Sequence, residues 1–100
     1  MKYKCFICGY YTLDYRCEWK ICEICFWEDD VFVDHRNDKS SPANKGMMVS
    51  RAQANFMLFG AMSREFVGVV RKPFASEVRD PEWKPLDSAL AIFDQESRGH

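Results

Sequence analysis

A chain of 100 residues with 47% apolar side chains is one small domain with enough apolar surface for a core, and a domain of this size gains from a metal staple. The formal charge is −1, with seven Lys/Arg and eight Asp/Glu in residues 1–50 and seven of each in 51–100, so the chain lacks the basic stripe of a non-specific nucleic-acid binder. No apolar h-region follows Met1-Lys2-Tyr3-Lys4 and no window approaches a membrane span, so a cytoplasmic protein is expected.

Residues 1–34 read as a zinc-binding β region. Cys5 and Cys8 form one C-x-x-C pair and Cys22 and Cys25 a second, thirteen residues further on. Each tight turn brings two sulfurs to one point, and four thiolates make the tetrahedral shell of a structural zinc site. Gly9 gives the first turn a permissive backbone. The intervening residues suit a hairpin, with Tyr10–Leu13 as one strand, Asp14–Glu18 as the turn and Trp19–Ile21 as the other strand. A disulfide pair fits poorly without a secretory signal, and a dithiol redox site fits two pairs at this spacing less well than a metal does. Iron is the rival to zinc, since a knuckle followed by Gly9-Tyr10 is similar to rubredoxin-type sites. A closed four-cysteine shell leaves no open position for substrate, which argues against catalysis at the metal. Cys17, in the hairpin turn, reads as a free surface thiol or, in a functional role, as an alternative ligand or a redox-sensitive thiol.

The run Phe26-Trp27-Glu28-Asp29-Asp30-Val31-Phe32-Val33-Asp34 sets four acids among aromatics, with Val31–Val33 as a short strand. The acids read either as a solvated loop, with Trp27 and Phe32 packed in the core, or as a docking surface. Residues 35–46 are a polar loop, and His35 is expected to be exposed in it. Residues 47–72 read as two helices. Ser50 and Gln53 have the form of a capping box, Ala52, Phe56 and Phe59 share a face, and Gly60 is a stop. The second helix is capped by Ser63, buries Phe66, Val67 and Val70, and ends at Pro73. Residues 73–100 hold a linker with an exposed Trp83, a short helix over Leu86–Phe93 with Leu86, Leu90 and Phe93 on one face, and a frayed tail from Gln95. The expected fold is therefore α+β, a zinc-ribbon-like β-hairpin with two zinc knuckles packed against two or three short helices.

Several stretches resemble the small bacterial cysteine-rich CPCC proteins: Cys5…Cys8-Gly9-Tyr10, Thr12-Leu13, Ile21-Cys22-Glu23-Ile24-Cys25-Phe26-Trp27-Glu28-Asp29-Asp30, Ala43-Asn44, Asn55-Phe56, Phe59-Gly60-Ala61 and Val70-Arg71-Lys72-Pro73. The resemblance covers roughly residues 3–77. It departs where Phe6 and Ile7 replace the Pro and middle Cys of the family's name-giving motif, and where Glu23 replaces a Pro. The outer cysteines survive, so metal binding is retained, while thiol chemistry through a middle cysteine is lost. The resemblance implies a helix that starts about two residues before Ser50. Some members resemble the immunity partners of polymorphic bacterial toxins.

Three functions of different classes follow. The first is a non-enzymatic immunity protein that binds a cognate toxin through Trp27, Glu28, Asp29, Asp30, Phe32, Asp34 and Trp83, since interfaces favour aromatic anchors and acids steer association with a basic partner. The second is a zinc-ribbon module in a transcription or nucleic-acid assembly, against which the missing basic patch counts. The third is an enzyme or electron carrier, for which no nucleophile–base constellation appears.

Overall fold

The computed structural model describes residues 2–16 and 18–98; Cys17, with the roles considered for it, and the last two residues of the tail lie outside them. The elements in order are β1 (Tyr3–Lys4), β2 (Tyr11–Leu13), β3 (Ser40–Ser41), a 3-10 turn (Pro42–Asn44), β4 (Met47–Met48), α1 (Val49–Phe59), a second 3-10 turn (Arg64–Phe66) and α2 (Asp87–Arg98). The class is α+β, with two short antiparallel hairpins and two helices beside a cysteine cluster.

The strands differ from the expected single hairpin. β2 pairs with β1 across the first knuckle, and Ile21 bridges Glu28 across the second. Each C-x-x-C turn folds its own flanks together, so Trp19–Ile21 never meets Tyr10–Leu13. Trp19 has a φ of +58°, a left-handed residue that interrupts an extended strand. Val31–Val33 is likewise a turn, closed by the Val33 amide on the Asp30 carbonyl at 3.2 Å.

The polar 35–46 stretch contains more than a loop. β3 pairs with β4 in the register Ser40–Met48 and Ser41–Met47, and left-handed Lys45 and Gly46 turn the chain back between them. α1 then starts at Val49, one residue before Ser50 where the family resemblance implies about two, and Met48 precedes it in β4 without a side-chain cap. Ser50 lies inside the helix and Asp38 Oδ1 accepts from its amide at 3.0 Å, so the cap comes from upstream in the chain. Gly60 ends the helix in the left-handed conformation, its amide donating to the Phe56 carbonyl.

The expected second helix reduces to the 3-10 turn Arg64–Phe66 followed by turns. β-Branched Val67, Val69 and Val70 around Gly68 are weak helix formers, and Val67 and Val69 stand largely in solvent. Phe66 anchors the segment through its ring, 4.3 Å from that of Phe26, and Glu65 pairs with Lys45 at 3.0 Å. α2 runs past the expected end at Phe93 and packs on α1, with Arg51 paired to Glu96 at 2.8 Å. Its inward residue is Ala89, while Leu90 turns to solvent.

The core forms one cluster in which the four cysteines pack with Ile7, Leu13, Ile24, Trp27, Val33, Val49, Ala52 and Met62. No helix among the described residues is long and apolar enough to cross a membrane.

Candidate metal centre

The two knuckles are built alike. In the first, the Gly9 amide donates to the Cys5 carbonyl at 2.7 Å and the Cys5 amide to the Tyr10 carbonyl at 2.9 Å. In the second, Phe26 donates to Cys22 at 2.8 Å and Cys22 to Trp27 at 2.9 Å. This repeated five-residue loop needs a left-handed residue just after the second cysteine, and Gly9 and Phe26 supply it at +83° and +72°.

The loops bring Cys5, Cys8, Cys22 and Cys25 together, all fully buried, with their sulfurs within 4.8 Å of one another. The Cys5–Cys25 and Cys8–Cys22 sulfurs are 3.5 and 3.7 Å apart. A tetrahedral shell with metal–sulfur bonds of about 2.3 Å has edges of about 3.8 Å. The four residues therefore fit a single metal ion of the zinc or iron class.

Without a cation, the cluster shares protons. The thiols of Cys25, Cys5 and Cys8 donate toward Cys22, outweighing burial, so Cys22 is the first sulfur to ionise; the Thr12 hydroxyl adds a bond at 3.0 Å. Donation to Cys22 raises the Cys5 thiol, and burial raises that of Cys25 before its bond to Cys22 does. A dication would take the place of these protons.

A shell of backbone contacts holds each loop. Arg79 Nε donates to the Cys8 carbonyl at 2.8 Å, and the Asp80 amide donates to the Gly9 carbonyl at 2.9 Å. Around the second loop, the Met62 amide donates to the Cys25 carbonyl at 2.8 Å, and Asn55 Nδ2 holds the Met62 carbonyl at 2.9 Å. Gln53, expected in a capping box, instead donates to the Phe6 carbonyl and accepts from the Leu86 amide.

A family profile described as cysteine-rich CPCC matches residues 3–77. The chain belongs to the cysteine-rich CPCC family. No curated protein and no solved structure matched it. In this CPCC protein the stretches that carry the family resemblance meet around one centre. Asn44 grips the backbone of Glu28 in both directions, accepting from its amide and donating to its carbonyl, each at 2.9 Å. The Ala43-Asn44 and Trp27-Glu28-Asp29-Asp30 signatures are thus two sides of one joint.

The expected docking run divides. Trp27 is 1% exposed, and its indole Nε1–H donates to His35 Nε2 at 3.0 Å. Asp29 is buried beside Arg16 at 3.3 Å. Asp30 is buried as well; burial opposes its ionisation, but the Ser41 hydroxyl and the Phe32 and Ala43 amides outweigh this and hold its carboxyl below the ordinary range. These three residues therefore build the interior and are corrected from surface to structural roles. His35 is corrected too: it is buried, stacked on Phe6 at 5.2 Å. Trp83 is half-buried over Gly9 and donates to the Phe6 carbonyl at 2.8 Å.

Glu28 is half-buried, Asp34 faces solvent paired to Arg36, and Phe32 is 81% exposed. Sequence reasoning missed Trp19 beside Phe32, at 5.6 Å between ring centroids. It also missed Arg79, Asn55 and His35 as supports. Arg79 follows the end of the family match, and nothing local in its sequence marks it.

Proposed function

We propose that this CPCC protein is a non-enzymatic interaction protein. Its four cysteines carry one structural zinc ion, and it acts in the cytoplasm as the immunity partner of a cognate bacterial toxin. The observation that carries the reading is Phe32, a large apolar side chain held out in solvent by a rigid turn. The Asp30 carboxylate accepts the Phe32 amide at 2.9 Å, and Asp30 itself is locked to Ser41. Exposed Trp19 lies against Phe32, and Tyr15 and Ile21 of the neighbouring stretch are also exposed. A preformed aromatic patch of this kind loses little ordering entropy on binding. The buried four-sulfur shell supports a structural metal, because it has no exposed face for a substrate.

The test is Phe32→Ser combined with Trp19→Ser, measured for binding to the product of a neighbouring toxin gene and for protection of cells against it. Loss of binding by about tenfold or more, with unchanged metal content, is expected for an anchor pair. Unchanged binding and protection would remove the patch from the interface.

A further inference from the structure

A cleft of about 310 Å³ opens between the first knuckle and the segment 82–86, apart from the metal centre. His35 lines it and is 6% exposed. Because Trp27 donates to Nε2, that nitrogen is the acceptor, and the ring proton sits on Nδ1. Burial, which lowers the His35 pKa, keeps the imidazole neutral. Nδ1–H has no protein acceptor among the described residues, yet no buried side-chain nitrogen or oxygen is left unpaired there, so this donor reaches the cleft.

Lys4, Arg36 and Lys84 line the opening with Glu82, and the Asp29, Asp30 and Asp34 carboxylates lie near His35; Lys84 is the lining cation with no ion pair among the described residues. Lys4 spends one donor on Asp80 at 2.7 Å. Arg36 uses Nε and Nη2 on Asp34, which leaves Nη1. Gln53 is already committed to Phe6 and Leu86 and does not compete for a ligand. The cleft thus offers the Nδ1–H and Lys84 donors, while the carboxylates near it other than Glu82 are already engaged, Asp80 by Lys4, Asp34 by Arg36, Asp29 by Arg16 and Asp30 by Ser41. An apolar occupant would leave the buried N–H unpaired, whereas an anion satisfies it and gains charge-assisted bonds.

We propose that this cleft binds a small oxyanion, a carboxylate or phosphate group, with His35 Nδ1–H as the buried donor and Lys84 and Arg36 as the covering cations. The experiment titrates the full metal-loaded chain with sodium phosphate, and separately with sodium succinate, at constant ionic strength and about pH 7.5, where the imidazole is neutral. NMR follows the His35 ring and the Trp27 and Trp83 indole N–H signals. At least one anion is expected to give a saturable shift at His35, phosphate alone indicating a phosphoryl ligand and succinate alone a carboxylate. Lys84→Ala should weaken that binding by about fivefold, and Glu82→Gln should strengthen it. Both side chains are exposed, so neither change threatens the fold. Absence of a saturable shift with either anion, or unchanged affinity in both variants, would overturn the proposal.

Discussion

Gly9 and Phe26 occupy the same place in the two knuckles and share a left-handed backbone, yet only one of them is glycine. The difference lies in what stands over each loop. A Cβ on Gly9 would meet Trp83 Cγ at 2.6 Å and Cδ2 at 2.8 Å. Phe26 instead sends its ring to Phe66, and that contact offsets the strain of its φ. The segment after residue 77 therefore dictates the residue in the first loop.

Gly9→Ala should cost about 2–4 kcal/mol, adding the left-handed penalty to the clash with Trp83. Gly60→Ala is the matched control, since its φ is +86° and nothing lies within 4 Å of the added Cβ. Its cost should be about 1 kcal/mol. Chemical denaturation of both variants measures the difference, and equal losses would show that Trp83 does not constrain Gly9.

Asn44→Ala should destabilise by about 2–3 kcal/mol, because it strips partners from the part-buried Glu28 amide and carbonyl together. Asn44→Asp keeps the acceptor for the amide and loses the donor to the carbonyl, so it should also be less stable than the parent. Urea midpoints at constant slope check both. A loss below about 0.5 kcal/mol for the alanine variant would mean the joint is not a stabilising contact.

His35 should titrate below its ordinary value of 6.5, since burial, aided by the Arg16 charge, outweighs the nearby Asp29, Asp30 and Asp34 carboxylates, which favour protonation. The unfolded chain then takes up the proton first. Its contribution to stability is full above 6.5 and declines as pH falls from there toward the folded value. NMR titration of the ring gives the folded value directly. A midpoint above 6.5 would contradict the buried, neutral tautomer.

The four-cysteine cluster was legible from spacing alone, because a C-x-x-C turn is a local structure. The Gly60 stop was legible for the same reason. The pairing of strands was not, since two adjacent knuckles each close on themselves and leave Trp19–Ile21 outside a common hairpin. The acids of Asp29 and Asp30 looked like surface because charge is usually solvated. Their partners, Arg16 and Ser41, stand 13 and 11 residues away in sequence, and no periodicity announces them. Trp27 and His35 were misplaced together, since the Trp27 indole N–H finds its acceptor in His35 Nε2. Sequence reading placed Phe32 outside but could not pair it with Trp19 across a turn.

Zinc uptake should be coupled to protons. Cys5 and Cys25 have raised thiol pKa values and must lose their protons to ligate, whereas Cys22 ionises readily. Zinc affinity should therefore rise with pH, and the binding enthalpy near pH 7 should change with the ionisation enthalpy of the buffer. A buffer-independent enthalpy would mean that thiolates were already formed.

We propose that Cys5, Cys8, Cys22 and Cys25 hold one structural zinc ion. Native mass spectrometry combined with elemental analysis of the purified chain tests it most directly, run beside Cys22→Ser. One zinc per chain, absent or strongly reduced in the variant, is the predicted result. Its loss should loosen α1 as well as the knuckles, because Val49, Ala52 and Met62 share the cysteine core. A chain that carries no metal, or one that carries iron instead, would rule out a structural zinc site.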